Sequence, residues 1–273
     1  MQNELKNAIR FDDFYAVYGS QGVVTLAWWL GAKHAEQIRT EQQSFPFLHI
    51  VGAPGSGKTF MQSYLWKLLG EDSFSACDPE RATRNGRLRL IANANKRVIT
   101  YEFMPEGRET DFDWNELSPL YSSGHAVYGH SGEMQVITFD GAVTISSNQP
   151  IQCSEAIESR LVRVNLTAPH TTESRYHAQA LNQLSAEQAS AFGRAVDQRA
   201  DQSISTINKL APAYTASLLD EHADQLSPRA AKNAGQMMAL VDVLSLLLNL
   251  TGEQRQRALN EVKYSVCLEF VPY

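Results

Sequence analysis

Leu48-His49-Ile50-Val51-Gly52-Ala53-Pro54-Gly55-Ser56-Gly57-Lys58-Thr59 joins an apolar strand candidate to a glycine-rich loop and then to the start of a helix. The spacing is GxxxxGK[ST], matched at Gly52, Gly57, Lys58 and Thr59. Glycines there let backbone N–H groups turn inward and cradle phosphate oxygens. Lys58 then reaches the β- and γ-phosphates of a nucleoside triphosphate, and the Thr59 hydroxyl holds Mg²⁺. A helix from Lys58 to about Leu69 adds its positive N-terminal end. Both flanks fit. Phe47 to Val51 is an apolar run, and Phe60, Met61, Tyr64, Leu65, Leu68 and Leu69 recur at helical spacing. A chance glycine-rich turn requires neither flank. The nucleotide-contacting set is Gly52, Ala53, Pro54, Gly55, Ser56, Gly57, Lys58, Thr59 and Phe60, with ATP and Mg²⁺ as the expected ligands.

Composition bounds the rest. A chain of 273 residues, 43% hydrophobic and 20% charged, is globular, and makes one large domain or two small ones. No stretch approaches the ~18 apolar residues of a membrane span. The opening MQNELKNAIRFDD has no signal-peptide pattern, so a cytoplasmic protein without a membrane partner is expected. Cys77, Cys153 and Cys267 are far apart and read as three reduced thiols, not as a disulfide framework or zinc site. A net charge of −6 argues against a protein that coats duplex DNA. Any nucleic-acid contact would be local, as in a ring channel lined by a few basic or polar side chains. Domain sequence begins almost at Met1, as in a module cut from a longer polypeptide; a short natural protein would look the same.

Three regions are expected. Residues 1–44 form a helical segment, with Val23, Val24, Ala27, Trp28, Leu30 and Gly31 in its apolar stretch. Residues 45–169 form an α/β core, a parallel sheet between helices. Its strand candidates are 45–51, 74–77, 97–103 and 142–147. Asp78-Pro79-Glu80 reads as a helix start, with the helix running to about Asn93. Two alternating runs between His125 and Phe139, around a turn at His130-Ser131-Gly132-Glu133, read as a hairpin. Residues 170–273 form a helical C-terminal region, weak in signal over Ser203–Leu210 and strong over Ala230–Leu250.

An NTPase needs a carboxylate at the end of a strand beside the phosphate loop. Val98-Ile99-Thr100-Tyr101-Glu102 supplies Glu102, with Tyr101 where an Asp-Glu pair would have Asp. Two alignments are open. Glu102 activates water while Mg²⁺ relies on Thr59, phosphate and water, or Glu102 is the metal-side acid and Glu106 acts on water. Thr144-Ile145-Ser146-Ser147-Asn148 is a strand ending in Asn. Ser154 to Val164 reads as a helix carrying Arg160, with Arg163 beyond it.

The order GAPGSGKT, ITYEFMPEGRETDFDWNELSPLY, TISSNQP, SEAIESRLVRV resembles the helicase-type ATPase domain linked to toprim primases in phages, plasmids and other mobile elements. That family is AAA+-like and similar to superfamily 3 replicative helicases. The resemblance covers roughly residues 20–250. It implies a P-loop NTPase fold and ATP-driven translocation on single-stranded DNA by a hexameric ring, with a primase domain or partner. It implies Lys58 on phosphates, Glu102 on water or metal, Asn148 as γ-phosphate sensor and Arg160 as a finger reaching the neighbouring subunit's nucleotide. Arg229, in Ser227-Pro228-Arg229, takes the place of a second sensor. It also implies that the hairpin projects into the channel, with His125, Tyr128 and His130 as candidate DNA contacts. No Lys or Arg lies between Gly124 and Phe139, which weakens that grip. Arg81, Arg84 and Arg87, three apart, would share a helix side facing phosphate, another subunit or solvent. The competing expectation is a nucleotide-switched assembly or protein-remodelling factor that does not unwind DNA. A P-loop small-molecule kinase explains neither Arg160 nor the helical last third.

Overall fold

Phe47–Val51 is buried along its whole length because both of its faces are covered. Phe47 points into one apolar cluster and Leu48 and Ile50 into another, the period-2 alternation of a strand between two layers. The computed structural model describes residues 2–94, 96–103, 112–130, 133–167, 171–222 and 226–267. In chain order the elements are α1 (Gln2–Ala8), α2 (Phe11–Ala32), α3 (Ala35–Gln42), β1 (Phe47–Val51), α4 (Lys58–Lys67), β2 (Ala76–Cys77), α5 (Arg84–Ala94) and β3 (Val98–Phe103). A 3₁₀ turn (Trp114–Leu117) leads to α6 (Ser118–Ser122), β4 (His125–His130), β5 (Glu133–Thr138), β6 (Ala142–Ser147), α7 (Glu155–Glu158) and β7 (Leu161–Asn165). Then follow α8 (Thr172–Asn182), α9 (Ala186–Ala189), α10 (Ala191–Gln198), α11 (Ala200–Glu221), α12 (Pro228–Leu248) and α13 (Gly252–Cys267).

Five strands make a parallel sheet in the order β2-β3-β6-β1-β7, and β4 and β5 form a separate antiparallel pair. On one face, α2, α4 and the C-terminal helices bury Trp28, Trp29, Leu65, Phe192 and Leu240 against Leu48, Ile50 and Val164. On the other, α5, α6 and α7 and the hairpin bury Ile91, Leu120, Ile137 and Ile157 against Tyr101, Ile145 and Leu161. The N-terminal helices are tied to this framework. Trp28 Nε1 donates to the Pro46 carbonyl at 2.8 Å, and Tyr64 Oη donates to the Ile9 carbonyl at 2.9 Å. Among the described residues no helix is long and apolar enough to cross a membrane.

Several expectations change. Ser154–Val164 is not one helix: α7 stops at Glu158, and Leu161–Asn165 is a fifth parallel strand beside β1. Its alternating Leu161, Val162, Arg163, Val164 pattern satisfies a strand once Arg163 has an ion-pair partner, Glu158. Asp78 starts a turn, its carboxylate accepting from the Glu80 N–H at 3.0 Å. The helix begins at Arg84, where Thr83 Oγ1 accepts from the Gly86 N–H at 3.1 Å. Arg81 therefore lies outside that helix. The weak stretch Ser203–Leu210 lies inside α11, which also carries Pro212.

Candidate functional site

Gly52 leaves β1 with its N–H bonded to the Ser147 carbonyl at 3.2 Å, so the loop starts tied to the end of β6. Gly55 and Gly57 have φ of 81° and 88°, a region open mainly to glycine. A Cβ on Gly52 would stand 2.4 Å from Ser56 Oγ. Ser56 Oγ is buried and has no hydrogen-bond partner among the described residues. Ala53, Pro54, Gly55 and Thr59 are exposed. Lys58 folds back over the loop: Nζ donates to the Gly52 and Ala53 carbonyls and, at 2.9 Å, to Asn148 Oδ1. Burial pushes its pKa down, and the charge of Glu102 pulls it back up.

The structure thus brings together Lys58 after β1, Asn148 after β6 and Glu102 near the end of β3, at the carboxyl edge of the sheet. β1 lies there between β6 and β7, where the strand order reverses, the place ligands occupy in open parallel sheets. Tyr101 does not join them. Its ring is fully buried on the opposite face, 6.4 Å from Phe112 centroid to centroid, and burial raises its pKa. Glu106 lies outside the described residues. Among the described residues no three or more His, Cys, Asp or Glu gather as a metal cage. The open loop, the unpartnered Ser56 hydroxyl and an ammonium held only by neutral acceptors fit a phosphate chain. One hydroxyl and one carboxylate suit Mg²⁺, which keeps several waters and takes few protein ligands.

A cavity of about 460 Å³ opens beside Ser56, lined by Tyr18, Gly19, Gln21, Leu166, Thr167 and Arg257 among others. It exists because α2 bends at Gly19 (φ 54°, ψ −140°). Tyr18 Oη donates to the Gly57 carbonyl at 3.0 Å, so the bend also braces the loop. Sequence reading missed these residues; a glycine at 19 and another at 22 inside an otherwise good helix were the available signal.

Arg160 stands at the other end of the sheet. Its carbonyl accepts from Phe47 N–H at 3.0 Å, where β1 begins. The five-residue β1 separates that edge from the loop by roughly 15 Å. The Arg160 guanidinium lies over the Tyr121 ring, 5.4 Å from its centroid, and donates to the Ala156 carbonyl. Arg229 is beside it and not at the Gly52–Thr59 loop: its Nη1 donates to Ser159 Oγ at 2.8 Å. Burial and the positive charge of Arg229 lower the Arg160 pKa. Among the described residues neither arginine pairs with a carboxylate. Asn233, one turn after Arg229, is fully buried and splints this edge, accepting from Tyr121 Oη at 2.8 Å and donating to the Ser159 carbonyl at 2.9 Å.

The hairpin pairs His125 with Thr138 through His130 with Glu133. Its base is held by buried Arg39, which donates to the Gly141 and Phe139 carbonyls, both at 2.8 Å. His125 is exposed; the side chains of Tyr128 and His130 lie outside the described residues. Arg87 corrects the expected basic helix face. It is buried, grips both Glu116 carboxylate oxygens at 3.0–3.1 Å and stacks 4.6 Å from the Phe112 ring centroid. Arg81 pairs with Asp78 at 3.2 Å.

No family model matches the chain, and no curated protein matches its sequence. Its fold is similar to a solved structure titled "SCCmec type IV Cch - active helicase", with a TM-score of 0.67 and 14% identity. The match covers 96% of this chain and 50% of that one, so the chain spans half the length of the helicase it resembles. At that identity the likeness establishes a helicase-like α/β fold.

Proposed function

We propose that this chain is the ATPase module of a ring-forming DNA helicase or translocase, AAA+-like and belonging to a mobile-element replication protein. One observation carries the reading. Lys58, Asn148 and Glu102 converge at one end of the sheet, while Arg160 and Arg229 lie at the other with no carboxylate partner among the described residues. A single chain cannot apply both sets to one nucleotide, but two neighbours in a ring can. Lys58 and the loop N–H groups bind the β- and γ-phosphates, and the cavity beside Tyr18 has room for base and ribose. Mg²⁺, held by Thr59 with Glu102 near, supplies charge neutralisation on the phosphates when bound. Glu102 accepts the proton of the attacking water and Asn148 orients that water. Arg160 of the adjacent subunit neutralises transition-state charge, an effect of about 10³-fold or more in related chemistry. Arg229 shares the Arg160 edge, so it too serves the neighbour's nucleotide.

Lys58→Ala will abolish ATP hydrolysis. Arg160→Ala will bind ATP and fail to turn it over. Mixing the two inactive proteins will restore part of the activity, because some interfaces then combine an intact Lys58 with an intact Arg160. Full activity of Arg160→Ala alone, or mixtures that stay dead while rings form, would refute the split site. A hairpin without Lys or Arg and a net charge of −6 favour a second reading, a nucleotide-switched remodelling factor. ATPase stimulated by single-stranded DNA, with salt-sensitive binding, supports the helicase; assembled rings indifferent to DNA support the remodeller.

A further inference from the structure

His49 is fully buried in the middle of β1, an interior strand of the sheet, where an aliphatic side chain would pack without desolvating an imidazole. Its Nε2 lies 2.8 Å from Ser147 Oγ, on the neighbouring strand β6. Ser147 Oγ in turn bonds to the Gln149 carbonyl at 2.5 Å. A carbonyl only accepts, so the single hydroxyl proton is committed to Gln149, and His49 must donate from Nε2. Ser147 and Gln149 flank Asn148, whose amide oxygen meets Lys58 Nζ. On the other side, Arg163 of β7 is the register partner of His49. His49 Nδ1 and Arg163 Nε are both buried and without a partner among the described residues, an acceptor and a donor on adjacent strands. Arg163 is anchored at its far end by Glu158.

We propose that His49 is a positioning residue for nucleotide hydrolysis: its Nε2–H, through Ser147, fixes the turn that presents Asn148 to the terminal phosphate. The role rests on the ATPase reading above. Without that donor the Ser147–Gln149 turn loses its only tie to β1 through a side chain among the described residues, and Asn148 drifts while the phosphate loop stays intact. Small displacements of an orienting group cost turnover more than binding.

The test compares wild type with His49→Phe, His49→Gln and Ser147→Ala. His49→Phe keeps a planar ring, somewhat larger than imidazole, and removes the donor, and His49→Gln returns an N–H at nearly the Nε2 position. His49→Phe and Ser147→Ala will each lower kcat about ten-fold or more with the KM for ATP within about two-fold. The double variant will be no worse than either single one, and His49→Gln will recover most of the loss. In nucleotide-free wild type, ¹⁵N-correlated NMR will show a neutral ring protonated at Nε2. An Nδ1–H or charged ring, unchanged kcat in His49→Phe, or loss of kcat and binding together with the melting transition would overturn the role. Wild type without any turnover would refute the ATPase reading and this role with it, whereas an active wild type matched by His49→Phe refutes the role alone.

Discussion

The Lys58 ammonium is held by two loop carbonyls and an amide oxygen, neutral acceptors that a phosphate displaces more readily than a buried carboxylate. What keeps that loop shaped is Tyr18, on the far side of the bend in α2. Tyr18→Phe removes one neutral hydrogen bond, worth about 1 kcal/mol, and will weaken ATP binding roughly five-fold by titration. Unchanged affinity would show that the bend does not brace the loop. Arg87 is the opposite kind of residue, a buried cation whose work is structural. Arg87→Met leaves Glu116 with the longer Arg84 contact at 3.9 Å and will cost about 2 kcal/mol in denaturant unfolding, with the ATPase of the folded fraction intact. Sequence alone exposed the phosphate loop because its chemistry is local: eight consecutive residues contain the glycines, the lysine and the hydroxyl. It did not expose the partners of Arg160 and Arg229, since Ser159 and Arg229 meet across 70 positions of chain. Nor did it distinguish Arg87 from its exposed neighbours, because Glu116 reaches it only through tertiary packing.

Elements with strong local grammar were readable for similar reasons. The hairpin declared itself by two alternating runs around a glycine turn, and β1 and β6 by apolar runs that end where polar residues begin. β7 was hidden because Arg163 interrupts a short strand, and its ion pair with Glu158 exists only after α7 has stopped. The N-terminal start of α5 was misplaced because Asp78-Pro79 satisfies turn and cap chemistry equally well. α11 was weak to read because it is steadied by α12 more than by its own propensity. Gly235 makes that contact close: a Cβ there would stand 2.3 Å from Thr215 Oγ1 and 2.7 Å from the Ala211 carbonyl. The backbone acceptor cannot swing aside, so the helices must separate. Gly235→Val will destabilise by about 2 kcal/mol and lower Tm by roughly 5 °C in calorimetry. Gly235→Ala combined with Thr215→Ala will be milder, since only the backbone contacts, to the Ala211 carbonyl at 2.7 Å and the residue-215 nitrogen at 2.9 Å, then remain. A Gly235→Val protein with wild-type Tm would show that α11 and α12 do not rely on this approach.

At the scale of the molecule, one parallel sheet separates two apolar layers and presents unlike chemistry at its two ends, acceptors and a carboxylate around Lys58 at one and paired guanidinium groups at the other. The polar residues that cross the sheet between those ends are few, and His49 is the one that would take up a proton in the unfolded chain well before it does in the folded one. Burial, helped by the nearby positive charge of Arg163, lowers its pKa from 6.5 to about 3. Burial also lowers the pKa of His34, against the pull of Asp197. The sign follows from proton linkage: below pH 6.5 the unfolded chain binds a proton at His49 that the folded chain refuses, so stability is full above that pH and falls as acid is added, down to about pH 3. The slope from one such group approaches about 1 kcal/mol per pH unit. His49→Phe removes this group and leaves His34 and the carboxylates in place. Unfolding free energies measured in urea at pH 7, 6, 5 and 4 will therefore fall less steeply for His49→Phe than for wild type, so the stability of wild type relative to His49→Phe will drop steadily toward acid whatever the offset at pH 7. Parallel curves would mean that the His49 ring takes up its proton in the folded state, and that the centre of the sheet is open to water.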